Sequence, residues 1–345
     1  MRTAVYLVVL GLLVAARPAR ADKNDLALWR LGKLTVNPDG TIPQPGVTLD
    51  AAANQQYRSL ASELGVVMAP RLLMPSDTLG YSGFQFDFDM SFTTINNNQT
   101  DPAKTLSPWR NVLERTDGVV PSMMTTIGVF ARKGIWLPLP SFEIGAGALH
   151  LLDSNMFALQ AYAKLALQEG FHGWPLPSIA VRGAASRLMG SSQLDLTVAS
   201  LDFSASKAFG IGGTLNIQPY AGYNILWIIE RGQVLDANPG CDAYVTTQTP
   251  TTPCPNPNGG ANITPGVTEL NSNFVFYNQN TIVRHRVFVG LKLRFNVVAL
   301  TADYAYITAG SSNDANVPLA DGTRANVKDQ AQGQHQVSIS LALDF

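Results

Sequence analysis

FQFDFDMSFT, residues 84–93, reads as two sequences interleaved. Phe84, Phe86, Phe88, Met90 and Phe92 share one face of an extended chain; Gln85, Asp87, Asp89, Ser91 and Thr93 share the other. Successive side chains of a strand point to opposite sides, so this period of two predicts a strand with one greasy and one polar face. In a soluble sandwich the greasy face packs on a second sheet. In a membrane barrel it faces lipid, and the polar face lines the interior.

The C-terminus repeats the pattern, with Val337, Ile339, Leu341, Leu343 and Phe345 against Gln336, Ser338, Ser340, Ala342 and Asp344. Between these ends the alternation predicts eight more strands, at about 123–133, 141–152, 156–169, 177–188, 193–209, 212–229, 279–295 and 297–308. The stretch 193–209 keeps its phase only with a slip near Ala199-Ser200, which predicts a β-bulge.

Composition limits what such strands can build. Lys and Arg number 24 and Asp and Glu 25, so there is no bulk positive field for a nucleic-acid partner. Charged residues make up 14%, against roughly 25% in soluble domains. Arg2, the apolar run Ala4–Val14 and Ala19-Arg20-Ala21 form an export-signal pattern, predicting a signal peptide over 1–21. No later stretch is apolar enough for a transmembrane helix.

The links supply a second test. With Phe345 on the periplasmic side, 96–122, 153–155, 189–192, 230–278 and 309–333 fall outside, and 134–140, 170–176, 210–211 and Asn296 inside. Three of the outer links are long and polar, and all the inner ones are short. Long outside, short inside and an even strand count is the rule of bacterial outer-membrane barrels. Aromatics fall near both rims: Trp136, Phe142, Phe171, Trp174, Phe209, Phe295 and Phe345 below, Phe157, Tyr223, Trp227, Tyr304 and Tyr306 above.

The expected fold is therefore all-β: an antiparallel transmembrane β-barrel of about ten strands, with twelve as the alternative, over residues 80–345. Its terminal strand ending in Phe345 resembles the C-terminal signature of Gram-negative outer-membrane proteins. "IWLPLPSFEIGAG" after Lys133-Gly134, and "IQPYAGYN" at 217–224, look like strand ends and turns of that class. The resemblance implies an outer-membrane location with lipid as partner, both termini periplasmic, and Phe345 as an assembly signal read by the barrel-assembly machinery. It identifies an architecture and carries over no functional residue.

Residues 22–79 differ. Asp50 predicts a helix cap, with a helix through about Glu63 ended by Gly65, and prolines punctuate the rest. This segment either plugs the barrel or lies as a periplasmic helix against its mouth.

The polar faces gather the candidate lumen-lining charges Asp87, Asp89, Glu143, Asp195, Asp202, Asp303, Lys164, Arg182, Arg286, Lys292 and Arg294. They could form a solute-selecting constriction. The near balance of signs and the narrowness of a ten-strand barrel favour ion pairs that fill the interior, with Arg286 and Asp303 as an expected cross-strand pair. Cys241 and Cys254 lie in the longest loop, and an oxidising compartment predicts a disulfide. Four histidines, His150, His172, His285 and His335, come with no nucleophile motif, although Asp153 and Ser154 follow His150. No cofactor, metal or catalytic residue is assigned. The leading functional expectation is porin-like passage of small solutes. A closed barrel that anchors or presents its loops is the alternative, and an outer-membrane enzyme the third.

Overall fold

The computed structural model describes residues 22–136, 141–169, 176–212, 214–239, 241, 254–257, 259–264, 267–319 and 321–345. The expected signal segment 1–21, and Phe171, His172 and Trp174, lie outside these residues.

Ten strands form one closed antiparallel barrel. They are β1 (Phe84–Thr94), β2 (Met123–Ile135), β3 (Phe142–Leu151), β4 (Phe157–Gln168), β5 (Ser178–Met189), β6 (Leu194–Ser206), β7 (Leu215–Gly232), β8 (Ile282–Phe295), β9 (Val298–Ile307) and β10 (Gln334–Asp344). Each pairs with its successor, and β10 pairs with β1 from Gln336↔Thr93 to Asp344↔Gln85. Closure leaves no ladder edge, which a chain in hydrocarbon requires because lipid cannot hydrogen-bond a backbone.

The two faces have the inside-out distribution that alternation predicts. Phe86, Phe88, Leu341 and Phe345 are 46%, 49%, 57% and 69% exposed on the outer wall. Gln85, Asp87, Asp89 and Ser91, between them, are buried within. Turns at one end are short: Asn296, at φ 54°, turns β8 into β9, a left-handed conformation that asparagine tolerates. The opposite end carries the three long links, and β7, at 18 residues, projects beyond the others there. Short ribbons extend this end, Leu235–Asp236 with Asn273–Phe274 and the hairpin Asn313–Pro318 with Arg324–Lys328. Polar turn residues surround those short ribbons, so alternation did not reveal them.

Phase is wrong in one predicted strand. β6 alternates without interruption and pairs with β5 and β7 in continuous register. The expected bulge at Ala199-Ser200 is absent. Leu194, Leu196 and Val198 face inward although apolar, because they meet a buried apolar core at the long-loop end. Asp195 therefore faces outward, where it pairs with Arg187 at 3.1 Å, and it is not a lumen residue. The barrel's register shift is instead between β4 and β5, at Ala166/Gln168.

That core is built around one helix, α1 (Ala51–Val67). Asp50 caps it, accepting a hydrogen bond from the Ala53 N–H at 2.8 Å. Tyr57, Leu60, Leu64, Val66 and Val67 have no exposure. The Tyr57 ring stacks on Phe276 at 4.2 Å, and its hydroxyl donates to Glu230 at 2.5 Å. Gly65 does not end the helix. It sits in its last turns, where a Cβ would strike the Ile228 side chain of β7. Glycine here is a close-approach residue, and the helix runs on to Val67.

Candidate functional site

A chain rich in proline cannot satisfy its own backbone, because proline has no N–H and an extended run makes no internal ladder. Residues 68–79 are such a chain, and they run through the lumen as a strap. The wall supplies their partners in order of descent. Ser186 donates to the Met68 carbonyl at 2.6 Å and Gln160 to that of Ala69 at 3.1 Å. Arg286 donates to Pro70 O at 3.0 Å, Arg182 to Arg71 O at 2.6 Å and Arg132 to Leu73 O at 3.4 Å. Lys164 reaches Pro75 O and Asp77 O at 3.3 and 2.8 Å. At the bottom the polarity reverses: the N–H groups of Thr78 and Leu79 donate to Glu169 and Glu143 at 2.6 and 3.0 Å.

The same side chains are ion-paired among themselves. Arg132 meets Asp87 at 2.9 Å, Lys164 meets Glu143 at 3.1 Å, Arg182 meets Asp202 at 2.5 Å and Lys292 meets Asp344 at 3.1 Å. Arg71, on the strap, pairs with Asp89 of β1 at 2.9 Å and donates to Thr126 of β2. Buried charges require such partners. Arg132, Lys164 and Arg182 thus each hold both a carboxylate and a strap carbonyl. The space left among Arg71, Asp89, Arg132 and Tyr162 is about 20 Å³, room for about one water.

One sequence expectation fails in detail. Asp303 lies opposite Gly290 and Ser338, not Arg286. Arg286 instead donates to Asn224, Gln336 and the strap. The expected pair fails because register sets Arg286 against Ile307, four residues beyond Asp303, or two repeats of the pleat. Arg294 shares the inward phase but stands at the short-turn mouth, half exposed, 3.5 Å from Asp344. There it helps line a vestibule of about 220 Å³ with Asp77, Gln218, Lys292 and Asp344.

Glycines shape the lumen in a way alternation does not signal. A Cβ at Gly145 would enter the Tyr162 ring, one at Gly147 the Phe130 ring, one at Gly222 the Phe288 ring and one at Gly290 the Tyr220 ring. Each aromatic ring occupies the space that a Cβ on the neighbouring strand would fill.

The two ends of the described residues lie at opposite ends of the barrel. Asn24 donates its N–H to Asp153 O at 2.7 Å, in the β3–β4 turn of the long-loop end. Phe345 exchanges backbone hydrogen bonds with Phe84 at 2.8 and 2.9 Å, at the short-turn end. Ten strands alone would put Asn24 and Phe345 at one mouth, and the strap adds a crossing.

Cys241 and Cys254 are joined, with Cα atoms 5.7 Å apart. His285 shares a hydrogen bond with the Tyr223 hydroxyl at 2.6 Å and His335 with that of Tyr304 at 2.7 Å, both on the outer wall. Ser154 is tied into its turn, donating to Leu151 O and accepting from Met156 N–H. Among the described residues no group of three or more His, Cys, Asp or Glu could hold a metal ion.

No protein-family model matches the chain, and no curated protein matches it in sequence. Among solved structures it is similar to Neisserial surface protein A, at 11% identity over 76% of this chain and 97% of that one, with a TM-score of 0.26. The transport unit of the autotransporter AIDA-I from Escherichia coli gives 9%, 84%, 97% and 0.32 in the same measures. The outer-membrane protease OmpT from Escherichia coli gives 8%, 81%, 100% and 0.32. Likenesses this loose assign no activity. By its own ladder and its two faces, the chain has the architecture of a Gram-negative outer-membrane β-barrel protein.

Proposed function

We propose that the protein is a closed outer-membrane barrel that anchors and presents its long-loop end to the outside, and that in this state it does not conduct solutes. The observation that supports the reading is the strap: Arg286, Arg182, Arg132 and Lys164 all spend hydrogen bonds on its carbonyls. Charges that tune a pore are hydrated and face an open path. These are buried and matched, and the vestibule at the short-turn mouth ends against Asp77 of the strap.

The test is conductance in planar bilayers. The full-length chain is expected to be silent, and a chain lacking residues 22–79 to show discrete, ion-selective steps. Steady conductance by the intact protein would overturn the sealed-anchor reading and restore porin-like passage.

A further inference from the structure

We propose that residues 22–67 are displayed on the outer face of the membrane, delivered there through the lumen of the barrel that the same chain forms. This rests on the reading of the long-loop end as the outer one.

The segment is built into that end. Besides Asn24 and Asp153, the Leu28 N–H donates to Gln193 of the β5–β6 turn at 2.5 Å. Arg30 pairs with Glu114 of the first long link at 2.9 Å. Thr264, in the second long link, donates its N–H to Gly40 O at 2.8 Å. Ser62 of α1 donates to Asp329 in the third at 2.6 Å. The Glu63 carboxylate accepts from the Trp109 indole N–H at 2.7 Å and the Asn96 N–H at 3.1 Å. Every long link therefore contacts residues 22–67, and the cap they form shares one apolar core with α1.

The opposite end fixes the direction of travel. Below the strap, Gly83 O accepts from Gly134 N–H at 3.0 Å beside Phe84, where β1 begins. The wall of the barrel thus starts at the short-turn mouth, while residues 22–67 lie beyond the other mouth. A segment carrying Asp22, Lys23, Asp25, Arg30 and Lys33 cannot cross hydrocarbon, where lipid-exposed irregular backbone and charge are excluded. The interior of the ring is the remaining route. The strap's extended form suits that route, since a helix with side chains is about 10–12 Å wide and a barrel of this size is just filled by side chains.

Native lysines mark both ends, so the unaltered protein reports on itself. Lys23, Lys33, Lys104 and Lys328 are exposed at the long-loop end, and Lys133 stands at the short-turn end beside Ser82. Intact cells are treated with a membrane-impermeant amine-reactive ester, before or after outer-membrane permeabilisation, and the purified chain is mapped by mass spectrometry. Lys23, Lys33, Lys104 and Lys328 should be modified in intact cells as fully as in permeabilised ones, and Lys133 only after permeabilisation. Modification of Lys104 and Lys328 with Lys23 and Lys33 untouched would overturn the display of residues 22–67 and leave the orientation standing. All four silent in intact cells would overturn the orientation, and the display with it.

Discussion

At Glu63 the cap concentrates opposing forces on one carboxyl. Two N–H groups, from Trp109 and Asn96, point at the same oxygen. Burial outweighs those donors and pushes the group up to about 7 from an ordinary 4.5. The folded chain therefore holds a proton between those two values that the unfolded chain has released. Stability contributed by this group is complete below about 4.5, falls as pH rises to about 7, and is flat above. The span corresponds to a loss on the order of 3 kcal/mol. Glu63→Gln should flatten that slope, measured as urea midpoints in detergent from pH 4 to 8. A variant with the wild-type slope would mean that another group titrates there. Sequence reasoning placed Glu63 merely near a helix end. Its two donors come from the first long link, 33 and 46 residues away in the chain, which local pattern does not encode.

Among the elements, the lumen glycines make a sharper claim than the strands do. Gly290→Ala would drive a methyl group into the ring of Tyr220, which is 3% exposed and has no solvent to move into. Overpacking of this kind costs about 1–3 kcal/mol. Gly183→Ala, on the lipid face with open space around it, should be neutral within about 0.5 kcal/mol. Thermal unfolding of the two variants should differ accordingly; equal melting would remove the packing role given to Gly290. The strands were legible because lipid imposes a uniform apolar demand along every outer face, from Phe84 in β1 to Leu343 in β10. That demand lapses inside. In β6 the inward Leu194, Leu196 and Val198 mimic a lipid face, so alternation alone gives the wrong phase there and turns Asp195 inward. The charged lumen was legible as composition, since signs that balance must pair. Its actual partner, the backbone of residues 68–79, was not, because a carbonyl leaves no mark in a sequence.

For the whole molecule, assembly and stability should separate at Phe345. Its ring is 69% exposed on the outer wall, while its backbone closes the seam against Phe84. Phe345→Ala keeps those backbone bonds. The expected outcome is less assembled, heat-modifiable barrel in the outer-membrane fraction, with an unchanged melting temperature for the molecules that do assemble. A lowered melting temperature at normal yield would make Phe345 a packing residue and remove its role as a signal.

Parity is what the strap changes in the end. Ten staves return a polypeptide to the side from which it set out; an eleventh passage, laid down the middle, does not. On the proposed orientation, residues 22–67 and Phe345 would be sorted into different compartments by one molecule. Tension applied between them would run along the axis of the barrel, drawing on the bonds between strap and wall before it reached any seam in the ring.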